Sequence, residues 1–94
     1  MKALLESRLS DLRKKSFAEL AELPALQSEP AMSGTKRFTL TVWADRTAPH
    51  ELRVVVQAYR PWLLGLGKMA AEGFTIDNTG ALRDLRPDEL YEFI

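Results

Sequence analysis

Cysteine is missing altogether from these 94 residues. That excludes a disulfide framework, a thiolate zinc site and a cysteine nucleophile. An excess of one charge is missing as well: 13 Lys and Arg face 13 Asp and Glu, for a net charge of zero. Such a balance disfavours a polybasic nucleic-acid arm or an acidic tail. Histidine is reduced to His50 alone. No apolar run approaches the roughly 20 residues of a membrane-crossing helix. At the start, Glu6 and Arg8 interrupt Leu4-Leu5 before the roughly 7–15 apolar residues of a secretory leader accumulate. With no such leader and no cysteine, the expected location is cytoplasmic, with no membrane partner.

What is present has globular proportions, 46% hydrophobic and 28% charged residues. One small α+β domain over residues 1–94 is expected. A chain of this length buries only roughly 60–65% of the surface it exposes when unfolded, so its margin is modest and a second subunit would raise it.

Residues 1–23 read as helical. Leu5, Leu9, Leu12, Leu20 and Leu23 recur with Phe17 at helical spacing, opposite Lys2, Glu6, Ser10, Arg13, Lys14 and Glu22. Ser16 interrupts the apolar seam, and Ser16-Phe17-Ala18-Glu19 fits a capping box, which favours two helical pieces over one. Pro24 closes the segment, because the residue before a proline is pushed out of the α region. Leu5, Leu9 and Leu12 then either pack on the chain's own sheet or pair with a second copy. Residues 24–35 gather Pro, Ser, Gln, Glu and Gly without periodicity and read as a loop.

The remainder, residues 36–94, reads as a sheet followed by a short helix. From Lys36 the period falls to two: Phe38, Leu40, Val42 and Ala44 alternate with Arg37, Thr39, Thr41, Trp43 and Asp45. Leu52, Val54, Val56 and Ala58 do the same against Arg53, Val55, Gln57 and Tyr59. The pair predicts an antiparallel hairpin, with Val42 opposite Val54, Leu40 opposite Val56 and Trp43 opposite Arg53. After a reversal at Pro61–Gly65, Leu66–Ile76 suggests a third strand. Its apolar phase changes between Ala71 and Phe74, which a β-bulge at Glu72-Gly73 would explain. A turn at Asp77–Gly80 leads to a short fourth strand at Ala81–Arg83. Pro87, Asp88 and Glu89 open a short C-terminal helix with Leu90, Tyr91 and Phe93 as its contacts. The fold class is therefore α+β, with an antiparallel meander of three to four strands.

Catalytic material is thin. His50 stands near Asp45 and Glu51, and a general base or a three-ligand metal site could be assembled there only without any recognised spacing. Gly65-Leu66-Gly67-Lys68 fails as a phosphate loop: Trp62 stands where the first glycine should, and Met69 follows the lysine. Asp77–Gly80 lacks the spaced acids of a calcium loop and is explained as a turn. Neither enzyme activity nor a cofactor or metal is expected.

The informative group is aromatic and basic. Trp43, Arg53 and Tyr59 share the face opposite the main apolar set, with Trp62 at the turn beyond. These four are the candidate partner-binding residues. Against this stands a structural role, in which the C-terminal helix or the loop covers that face and Trp43 with Arg53 is a cross-strand pair. Single-stranded nucleic acid stacking on the sheet is unlikely, since the chain is neutral and lacks an aromatic RNA-recognition motif. The leading expectation is a non-catalytic interaction domain that binds another protein or itself; a small-ligand or enzymatic site at the 45–51 turn is the alternative. Zero net charge also conceals a polarity, because residues 36–64 sum to +3 and residues 65–94 to −3.

Overall fold

The computed structural model describes residues 2–61 and 67–93. Two helices come first, α1 (Lys2–Arg13) and α2 (Phe17–Ala21). Ser16 divides them as the capping box requires: its hydroxyl accepts the Glu19 N–H at 3.2 Å, and the Glu19 carboxylate accepts the Ser16 N–H at 3.2 Å. Hydrogen bonds from Ser16 to the Glu19 carboxylate hold it below its ordinary pKa, the Ser16 backbone N–H contributing most.

Five strands follow: β1 (Leu26–Ser33), β2 (Lys36–Ala48), β3 (Glu51–Pro61), β4 (Gly67–Asp77) and β5 (Leu82–Asp84). They form one antiparallel sheet in the order β1-β2-β3-β4-β5, so each strand pairs with its neighbour in sequence. A 3₁₀ helix, Pro87–Phe93, ends the described chain. The α+β class stands, with five strands rather than three or four, and a 3₁₀ turn rather than an α-helix.

The extra strand is β1, which corrects the loop reading of residues 24–35. It pairs with β2 from Leu26 opposite Trp43 to Ser33 opposite Lys36. Gly34, at φ +62°, makes the tight link between them; a left-handed residue suits a hairpin whose turn must match the right-handed strand twist. Pro30 is tolerated because β1 is an edge strand, where one side needs no ladder bond.

Face parity in the β2–β3 hairpin is as expected, but its register is displaced by two residues. Val42 lies opposite Val56, Ala44 opposite Val54 and Leu40 opposite Ala58. A two-residue slip keeps every side chain on its face, so apolar alternation alone cannot discriminate against it. The turn decides: Arg46 donates to the Pro49 carbonyl at 3.0 Å, and the ladder shifts between Arg46 and Ala48. That irregularity is the sheet's bulge. None occurs at Glu72-Gly73, where Val56–Glu72 and Val55–Gly73 continue an unbroken register. Gly73, Phe74, Thr75 and Ile76 are all buried, so both faces of β4 are covered there and its apolar phase changes without a bulge. The chain reversal expected at residues 61–65 lies largely outside the described residues.

One face of the sheet, the inner face, carries the principal core. Leu5, Leu9, Leu12 and Leu20 pack on Leu40, Val42, Leu52, Val54, Val56, Ala58, Phe74 and Ile76. The α1 leucines thus cover the chain's own sheet instead of a second copy. Full burial of each leucine contributes on the order of 1.5–3 kcal/mol. Arg13 at the end of α1 lies over the Phe74 ring, 5.7 Å from its centre, and pairs with Asp84 on β5.

Candidate functional site

The opposite, outer face holds the described candidate partner-binding residues. Directly opposed residues in an antiparallel ladder project to the same side, so the registers place the outer face in rows across the strands. The first runs Asp45, Arg53, Thr75, Arg83; the next Leu26, Trp43, Val55, Gly73; then Ser28, Thr41, Gln57, Ala71; then Pro30, Thr39, Tyr59, Met69.

Arg53 is therefore not opposite Trp43, as the expected register had it, but opposite Asp45. Its guanidinium donates twice to the Asp45 carboxylate, Nε to Oδ1 at 3.0 Å and Nη2 to Oδ2 at 2.8 Å. This two-pronged geometry matches the planar fork of arginine to a carboxylate. Trp43 sits one row away and Tyr59 two rows beyond Trp43, about 13 Å along the strands. Trp62 lies outside the described residues.

Half of this face is a second, smaller core. Val55, Ala71 and Leu90 are buried together, and Trp43 and Leu85 pack against them. The polypeptide after β5 reaches back over the sheet to supply Leu85 and Leu90. Gly73 makes that possible. A Cβ there would lie 2.4 Å from the Val54 carbonyl oxygen and 2.9 Å from a Leu85 methyl, so only glycine permits this approach. The Leu85 N–H also donates to the Gly73 carbonyl at 3.0 Å.

The cover is pinned by one carboxylate. Glu89 accepts from Arg83 at 3.0 and 3.1 Å, and from the backbone and side chain of Arg86 at 3.1 and 3.2 Å. The Arg83 hydrogen bonds, then the Arg86 N–H, lower the Glu89 pKa to about 2. Trp43 is thus half-buried beneath a structural cap, the role weighed against partner binding from the sequence. Leu90, a contact residue of the expected C-terminal helix, supplies part of that cap; the side chains of Tyr91 and Phe93 lie outside the description.

The other half of the face is open. Ser28 and Thr41 join hydroxyls across β1 and β2 at 3.0 Å, and Gln57 Nε2 donates to Met69 Sδ at 2.9 Å. Tyr59 is half-buried among them. Leu26, Met32 and Met69 are exposed at 52%, 57% and 39%, and all three belong to this face. Sequence reasoning missed them: Leu26 and Met32 fall in the expected loop, and Met69 in the third strand, whose phase change reads as a bulge. The signal for β1 was Ser33-Gly34-Thr35, a turn placed directly before a strand.

At the 45–51 turn the side chains are engaged separately. Asp45 serves Arg53, Glu51 accepts the Thr47 hydroxyl at 2.7 Å, and His50 is exposed. Among the described residues no group of three His, Cys, Asp or Glu could hold a metal ion. The Asp77 carboxylate caps its own turn, accepting the Thr79 hydroxyl and the Thr79 and Ala81 N–H groups. The Thr79 hydroxyl contributes most to keeping its pKa low. A cleft of about 370 Å³ beside the cap is walled by Arg13, Glu72, Asp84 and Leu90, with Arg13 and Asp84 neutralising each other across it. Among the described residues no helix is long and apolar enough to cross a membrane.

No protein-family model, curated protein or solved structure matches the chain.

Proposed function

We propose that this chain is a non-catalytic interaction domain that binds another protein, or a second copy of itself, through the open half of the outer sheet face. The observation that carries this reading is that Leu26, Met32 and Met69, each at least 39% exposed, all lie on the sheet face that carries Tyr59, with Met69 directly opposite it. Single exposed apolar residues need no explanation, but three on one uncovered sheet face, one of them against a tyrosine, supply the contact material a partner would use. Methionine adapts to varied partner shapes, and a half-buried tyrosine offers contact area at little entropic cost.

Trp43 and Arg53 take supporting parts in this account. Trp43 holds the cap in place, and Arg53 is neutralised by Asp45, so neither gives a cationic stacking platform for single-stranded nucleic acid. Catalysis at the 45–51 turn gains nothing from a histidine whose neighbouring carboxylates bond elsewhere.

The test is affinity capture by the immobilised chain, comparing the parent with Tyr59→Ala and Met69→Lys. Both variants should weaken capture of the same bound protein by about tenfold, as removal of a contact-centre side chain does. Lys14→Ala, an exposed residue in the turn after α1, should capture as the parent does. If all four forms retain the same proteins equally, the open face is not the binding surface.

A further inference from the structure

We propose that two copies of this chain join along β1, antiparallel and about a two-fold axis at Glu29, merging their sheets into one. The inference deepens the preceding reading by naming the partner as a second copy, and it rests on that reading only through Leu26 and Met32. Among the described residues no strand occupies the outer side of β1.

The main-chain pattern of that edge selects the register. Ala44 N–H donates to the Ala25 carbonyl at 3.1 Å, so residues 25, 27, 29 and 31 spend their main-chain groups on β2. Those of Leu26, Ser28, Pro30 and Met32 face outward. Pro30 has no N–H, which leaves N–H groups on Leu26, Ser28 and Met32 and a carbonyl on all four. An axis at Glu29 sets Leu26 against the partner's Met32 and Ser28 against the partner's Pro30. Every outward N–H of both copies then meets a carbonyl, and the missing donor of Pro30 costs only one bond per half. With the axis at Ser28 or at Pro30, an outward N–H of each copy is carried past the end of the partner strand. The proline usually regarded as a guard against edge pairing therefore acts here as a register key.

Side chains agree with this choice. On the outer face Leu26 meets the partner's Met32 twice, covering the two most exposed apolar side chains described. On the inner face the two Glu29 carboxylates approach, but each is already paired with Arg8 of its own copy at 3.3 Å. A net charge of zero means that two copies do not repel at long range. Self-complementarity of this kind is what a two-fold interface demands and what an unrelated strand would match only by chance.

Because the chain contains no cysteine, single cysteine variants report the register directly. In the proposed dimer the two Glu29 positions form a non-hydrogen-bonded pair with Cα atoms about 4.5 Å apart, within disulfide reach. Glu29→Cys should cross-link to a covalent dimer under mild oxidation. Gln27→Cys and Ala31→Cys alone should stay monomeric, yet a mixture of those two should cross-link, since Gln27 faces the partner's Ala31. Sedimentation of the unmodified chain should show a concentration-dependent dimer, and Pro30→Val, which restores the missing donors, should tighten it by about tenfold or more. A monomer at all concentrations, or cross-linking that favours Gln27→Cys or Ala31→Cys alone, overturns the proposal. A monomer that still loses its captured protein on Tyr59→Ala would defeat self-pairing and leave the open-face reading intact. A β1 dimer with capture indifferent to Tyr59→Ala and Met69→Lys would do the reverse.

Discussion

Towards β5 the outer face of the sheet hides Val55 completely, at 0% exposure, whereas towards β1 it leaves more than half of Leu26 in solvent. Both residues lie in the same row of the sheet, so position along the strands does not distinguish them. The difference lies in what arrives from elsewhere in the chain. Leu85 and Leu90 reach Val55 because Gly73 admits them and Glu89 fastens them; nothing comparable lies over Leu26 among the described residues. A sheet face is thus core or surface according to its cover, and the boundary here falls within a single strand.

The largest effect should come from closing the passage that separates the two halves. Gly73→Ala places a methyl against the Val54 carbonyl, and the backbone of β3 cannot withdraw without disturbing its ladder. A loss of about 2–3 kcal/mol in chemical denaturation is expected. Unchanged stability would mean that the cap does not press on this glycine.

The contrast itself is measured by a pair of truncations. Leu90→Ala, within the covered half, should cost about 2 kcal/mol, while Met69→Ala, in the open half, should stay within about 0.5 kcal/mol. Equal losses would erase the distinction between the halves.

The smallest effect is a titration. A folded-state pKa depressed below the unfolded value stabilises fully above that unfolded value and is lost as pH falls through the folded one. For Glu89 the window runs from the ordinary 4.5 down to about 2. In a Trp62→Phe background, Trp43 fluorescence should report loosening of the cap across that interval. Glu89→Gln should remove this component, leaving the acid response of Glu19 and Asp77, which are depressed as well. A parent and Glu89→Gln with superimposable acid profiles would show that the clasp does not hold the cap.

Much of this architecture is readable from the residues. The split at Ser16 follows from Ser16 and Glu19, and β2 and β3 from their alternation. β1 escapes because neither of its faces is apolar: Leu26, Ser28, Pro30 and Met32 share one and Gln27, Glu29 and Ala31 the other. An edge strand outside the main core has no need of a hydrophobic stripe, and so leaves no periodic signal. The register of β2 on β3 escapes for a different reason, since parity is indifferent to a shift of two and the turn at Arg46–Ala48 decides it. Of the candidate site, Trp43, Arg53 and Tyr59 are placed on the correct face by alternation, but which of them is covered depends on Leu85 and Leu90, distant in sequence.

The order of strands in the sheet carries a kinetic consequence. Each strand pairs only with the one before or after it, so every ladder closes across a short stretch of chain and little loop entropy opposes it. The leucines of α1 are in the opposite position. Their platform includes Phe74 and Ile76, about sixty residues downstream, and it does not exist until β3 and β4 have met. The sheet can therefore zip from its hairpins while the helix waits. During that interval the inner face, with its rows of valine, is bare, and an exposed strand edge is then most open to another copy.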